Sequence, residues 1–254
     1  MILFNRIVPL LSAIVIAITF EVWVIRPQWA YSIFPITALI VLLSILSLFS
    51  QSVRKKSFFN FLSAPLLFII ASCSFFLIIE NLAVQQIVIA AIAVLHMLIL
   101  SNIFSFLYRA ESYQPYALEN LYAYINMVSL FFFYATFYSL ATLLGFQFWY
   151  FTLPVFILTS FLFTQTLWSY KIPWKDGRRF VFIIAVIITE ASYAVSFLPS
   201  SFLINALIIT ALYYVFMNVF KDHLRGILDM KKIRIYLAVS GIVLLVSLLT
   251  ARWH

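Results

Sequence analysis

Hydrophobic positions run through this chain in long, unbroken stretches, and polar positions collect in the short gaps between them. Nine stretches can be drawn: residues 7–25, 29–50, 58–79, 87–108, 121–144, 149–170, 180–198, 201–220 and 233–251. Each has the length at which a helix crosses a hydrocarbon core of ~30 Å. The runs are continuous rather than alternating, so they predict helices and not the strands of a membrane barrel. The expected fold is all-α: a polytopic bundle of nine transmembrane helices forming one integral membrane domain over 1–254.

Composition sharpens that expectation. With 65% hydrophobic and 9% charged residues, the chain cannot cover itself with a water-soluble surface. The net charge of +8 would point to nucleic acid in a soluble protein. Here the basic residues lie between spans, so orientation and anionic lipid headgroups account for them and no nucleic-acid partner is expected. Near the amino terminus, Arg6 precedes an apolar run but no small-residue cleavage site follows; a retained first span is expected.

Counting Lys and Arg gives a direction. With the amino terminus in the cytoplasm, 14 of the 16 fall inside. They are Arg6; Arg54, Lys55 and Lys56; Arg109; Lys171, Lys175, Arg178 and Arg179; and Lys221, Arg225, Lys231, Lys232 and Arg234. Arg26 and Arg252 alone fall outside, and the carboxyl terminus is expected there too. Trp23, Trp29, Trp149, Tyr150 and Trp253 would mark the outer interface, and Trp168, Tyr170 and Trp174 the inner one. Two inner connections stand out. YQPYALEN (113–120) predicts a helix lying at the interface with Pro115 in its first turn, and KDHLRGILDMKK (221–232) predicts a stop at Gly226 and an N-cap at Asp229.

An internal repeat is also suggested. The stretch from Trp29 to Pro35 resembles that from Phe148 to Pro154, and NIFSFLYR (102–109) resembles NVFKDHLR (218–225). The separations Pro35 to Asn102 and Pro154 to Asn218 are 67 and 64 residues. The implied halves are 1–112 and 113–228 in parallel orientation, followed by a final span in 229–254.

The most costly residue is Glu190, about halfway along the seventh run in TEASYAVSFLPSS (189–201). A carboxylate near a bilayer centre costs at least ~2.5 kcal/mol, so it needs a partner, a proton or a water-filled cavity. At 1.5 Å per residue, Glu190 lies roughly 15 Å in from the cytoplasmic end of its run and His96 roughly 13 Å in from the outer end of its own, both near the midplane, with Thr210 at a similar level. Tyr213 (with Tyr214) lies one turn further along, and Asn205 a turn or two shallower than Glu190. Glu190 with His96, or with a hydroxyl of the eighth span, is a permitted pair, either as a proton relay or cargo site or as a hydrogen bond between helices. Asn102, Asn126 and Gln165 read as interhelical hydrogen-bonding groups, and Glu21 is placed to pair with Arg26.

The usual catalytic signatures are missing. Cys73 is the sole cysteine, and His96, His223 and His254 fall at three different depths. No metal or cofactor site is expected from them. Asp176, Asp222 and Asp229 are assigned to connections, away from any cavity between helices, which argues against paired-aspartate magnesium chemistry. Gly145, Gly177, Gly226 and Gly241 are isolated, leaving no phosphate loop or nucleophile elbow.

TEASYAVSFLPSS, YYVFMNVFKDHLRGIL (213–228), the terminal TARWH and YQPYALEN together resemble a family of small polytopic bacterial membrane proteins, a domain of unknown function. The resemblance covers mainly the second half of the chain. It implies a bacterial cytoplasmic membrane and carries no catalytic role. The leading expectation is therefore a structural or assembly partner for another membrane protein, rather than an enzyme. The alternatives are a small transporter or lipid-handling protein using Glu190, and then a metal-independent enzyme on a lipid, using Glu190 and His96.

Overall fold

The computed structural model describes residues 2–49, 55–109, 113–114 and 116–250. Among them are nine α-helices and no strand: α1 (Ile2–Ile25), α2 (Ala30–Leu48), α3 (Lys55–Phe76), α4 (Leu82–Tyr108), α5 (Ala117–Leu144), α6 (Thr152–Ser169), α7 (Trp174–Val195), α8 (Phe202–Leu224) and α9 (Met230–Thr250). Each predicted run corresponds to one helix. Arg54, Pro115, Arg252, Trp253 and His254 lie outside the described residues.

Seven of the nine are long and apolar enough to cross a membrane. The two that fall short are α3 and α7. The sequence of α3 opens on KKSFFN before its longer apolar stretch, and α7 starts on WKDGRRF and carries Glu190. Charged residues in the first turns, not a lack of length, keep α7 below that mark.

Short-range signals set the helix ends. Asn81 caps α4, its Oδ1 accepting from the N–H groups of Ala83 (2.9 Å) and Val84 (3.2 Å). Gly226 stops α8 as expected: at φ 68° it donates to the His223 carbonyl while Ile227 donates to that of Asp222. This is the paired closure that glycine makes cheap just past a helix. Within 113–120 α5 begins at Ala117, and Pro115, expected in a first turn there, lies outside the described residues. Tyr113 serves that start. Its hydroxyl oxygen accepts from Leu118 N–H (2.8 Å) and its proton goes to Glu119 Oε2 (3.1 Å).

The chain divides into two compact units, residues 1–125 and 126–254, with the boundary inside α5. In the first, α1 packs on α2 and α4, α2 on α3, and α3 on α4, a closed four-helix arrangement. Phe20, Trp23 and Phe76 fill one end of it, with ring centroids 5.1–5.9 Å apart. Trp23 is thus buried, and does not mark an interface. Each such ring pair adds about 0.5–1.5 kcal/mol beyond area burial. Also in this unit, Tyr122 of α5 donates to the Phe61 carbonyl (3.0 Å).

In the second unit α6, α7, α8 and α9 pack in series, each on the next. Gly177 allows a close approach: a Cβ there would collide with Leu167 Cδ1 of α6. Tyr134 of α5 hydrogen-bonds Thr159 (3.2 Å), and Tyr138 donates to the Ser192 carbonyl (2.8 Å). Only 11% of the α9 span is buried, against 39% for α8, so α9 rests on the unit by a single side.

Candidate functional site

The hairpin of α7 and α8 holds most of the polar residues singled out from sequence, and the structure disperses them. Val181, Ile184, Ala185, Ile188 and Ser192 form the buried face of α7. Glu190 falls on the opposite face, exposed, with Phe182, Ile183, Tyr193 and Phe197. It makes no hydrogen bond or ion pair among the described residues. On α8, Thr210 returns its hydroxyl to the Ala206 carbonyl (2.8 Å), and Tyr213 is fully buried beside Thr166.

His96 belongs to the other unit. It is fully buried on α4, with Nε2 2.9 Å from Ser12 Oγ. Ser44 continues the chain, its hydroxyl within 2.8 Å of Ser12 Oγ and 2.6 Å of the Ile40 carbonyl. The result is a neutral hydrogen-bonded string joining α1, α2 and α4. Nearby polar pairs are equally local. Thr37 meets Cys73 at 3.4 Å, Asn102 donates to its own helix at Leu98, and Glu21 accepts from Gln86 rather than meeting Arg26. Asn126 is fully buried with no hydrogen bond to its amide among the described residues, so it does not join helices as expected.

Of the named candidates, Asn205 lines a cavity. This space of about 450 Å³ lies at the Pro199 end of the second unit, between the ends of α5 and α7 and the start of α8. Tyr138, Phe148, Tyr193 and Phe197 give it aromatic walls, and Gln147, Ser200 and Asn205 supply neutral polar groups. Ser200 donates to Asn205 Oδ1 at 2.6 Å. None of the lining side chains is charged. Its volume is within the usual ~300–1,000 Å³ of small-molecule sites, and its polar lining consists of hydroxyls and neutral amides.

The charged site lies at the other end, where α8 meets α9, and sequence reasoning missed it. Asp222 is not in a loop. It sits in the last turn of α8 with its side chain 4% exposed, next to Lys221 at 11%. Lys221 Nζ donates to Asn218 Oδ1 (2.9 Å), stands 3.8 Å from Asp222 Oδ1 and lies 4.7 Å over the Tyr170 ring. From α9, Tyr236 donates to Asp222 Oδ2 at 2.6 Å and Lys232 approaches the same oxygen at 3.8 Å. Arg225 takes a position over Tyr170 at 5.3 Å. Helical spacing was the available signal: Met217, Asn218, Lys221 and Asp222 share the buried face begun by Tyr213. Among the described residues, no three potential metal ligands come together.

Seven helices able to cross a bilayer define a polytopic integral membrane protein. Comparison of the chain with protein families, curated proteins and solved structures finds no match.

Proposed function

We propose that this protein is a membrane-embedded assembly partner, holding another membrane protein against the exposed face of α7. Glu190 carries the reading. An exposed carboxyl on an apolar helix face is costly against lipid, by at least ~2.5 kcal/mol. A partner helix presenting a hydrogen-bond donor or a basic group at that depth removes the cost. Tyr193 and Phe197, exposed on the same side, offer the broad aromatic contact that membrane helices use in packing. In this proposal all nine helices span. At 22 residues each, α3 and α7 reach about 33 Å. The 14-to-2 distribution of Lys and Arg supports a cytoplasmic amino terminus, and the family resemblance supports a bacterial cytoplasmic membrane.

A small transporter of two parallel halves is the second reading, and two local features favour it. A 3₁₀ turn precedes α2 (Pro27–Trp29) and another precedes α6 (Phe148–Phe151). Asn102 and Asn218 each donate to the carbonyl four residues back, both at 2.9 Å.

A photoreactive residue in place of Ala194, one turn from Glu190, tests the assembly role in native membranes. It should join the chain to a second membrane protein. The adduct should survive Glu190→Gln, which keeps hydrogen bonding, and disappear in Glu190→Leu. Lipid adducts alone, unaffected by either change, would end the proposal. Proton flux in liposomes that stops in Glu190→Gln at unchanged thermal stability would favour transport instead.

A further inference from the structure

The first turns of α7 form a second exposed feature, independent of Glu190. Gly177 and Val181 point into the unit, Gly177 against Leu167. That contact fixes the rotation of the helix. Arg178 and Arg179 are thereby turned outward, both exposed, and one turn further along lie Phe182 (61% exposed) and Ile183 (42% exposed). The four residues line an open groove of about 530 Å³. Positions four apart stack along a helix, so Arg178 stands over Phe182 and Arg179 over Ile183. Phe182 is steadied from α6 by an edge contact with Phe156, centroids 5.9 Å apart. Neither arginine has a hydrogen-bond or ion-pair partner among the described residues. The turn carries Lys175, Asp176, Arg178 and Arg179, a net charge of +2.

We infer that this groove binds one anionic phospholipid, the phosphate held by Arg178 and Arg179 and an acyl chain laid over Phe182 and Ile183. Charge selects the headgroup, since two guanidinium forks match phosphate oxygens in pairs. The apolar step one turn deeper selects an amphiphile over a free anion. Trp174, 55% exposed in the same turn, is the kind of side chain that settles at headgroup level. The inference needs α7 to reach the membrane surface, but does not need the assembly role of Glu190.

Native mass spectrometry of the purified protein can test it, with phosphatidylglycerol, phosphatidylcholine or inorganic phosphate added. Retention of phosphatidylglycerol over phosphatidylcholine is expected, and millimolar phosphate should not displace it. Arg178→Gln with Arg179→Gln should weaken phosphatidylglycerol binding about ten- to thirty-fold, at roughly one surface-charge contribution per arginine. Lys231→Gln with Arg234→Gln removes the same charge elsewhere and should leave binding within about two-fold. An equal loss in that control pair would reduce the effect to general charge and overturn the site. So would equal retention of both lipids, displacement by phosphate, or unchanged binding in the double arginine variant. Each arginine can also be changed singly, with a smaller loss in the same direction, should the double variant fail to fold.

Discussion

The two units bury polar groups by opposite means. In the first, the string His96–Ser12–Ser44 lies around the middle of α4 and consists of an imidazole and hydroxyls. In the second, a carboxylate and an ammonium are buried together, but only in the last turn of α8. Depth explains the contrast. Far from water a charge costs several kcal/mol, so the interior of a spanning helix holds neutral groups. At a helix end the charge of Lys232 remains near solvent and, with Lys221, balances Asp222. Hydrogen bonds between neutral groups in a membrane contribute about 0.6–2 kcal/mol, whereas a buried charge fails abruptly once its counter-charge is removed.

That difference can be broken at three places. Asp222→Ala leaves Lys221 buried without its counter-charge and should destabilise the protein by about 3 kcal/mol. Thermal unfolding in detergent measures the loss, and a cysteine on the buried side of α9 should become reactive well below the unfolding temperature. Asp222→Asn, which keeps a partner for Tyr236, should recover only a minor part. Tyr236→Phe is next: it removes one hydrogen bond to a charged acceptor, about 1.5 kcal/mol. An equal effect in the Asp222→Asn background would show that the phenol does not act through the carboxylate. Ser12→Ala should have the smallest effect, about 0.6–1 kcal/mol, because His96 and Ser44 lose only a neutral link. A loss as large as that of Asp222→Ala would mean that the string carries a charge, and the contrast would collapse.

Helix positions were legible in the sequence because the bilayer imposes a minimum length on any apolar run, and all nine runs became helices. Helix facing was not. Lipid is as apolar as leucine, so the lipid side and the packed side of a span read alike. Glu190 could therefore be placed in depth but not around its helix, and its exposure came only with the structure. Asp222 was misassigned for a related reason. The apolar run ends at Phe220, and a charged pair directly after it reads as a connection, although α8 continues to Leu224. His96 was singled out as a polar residue within a span, but Ser12 and Ser44, its hydrogen-bonded neighbours, were not, since small hydroxyls are common in spanning helices and carry little signal.

Unequal helix lengths have a consequence for the choice of membrane. With 28 residues, α5 is about 42 Å long, while the span of α6 with its leading 3₁₀ turn, 22 residues, is about 35 Å. A hydrocarbon core of ~30 Å suits α6 at a modest tilt but forces α5 to tilt further or to extend beyond the acyl region. Thickening the bilayer relieves α5 and strains α6, and thinning it does the reverse. The protein is therefore matched to one narrow range of acyl-chain length, and its stability in vesicles should pass through a maximum as that length is varied.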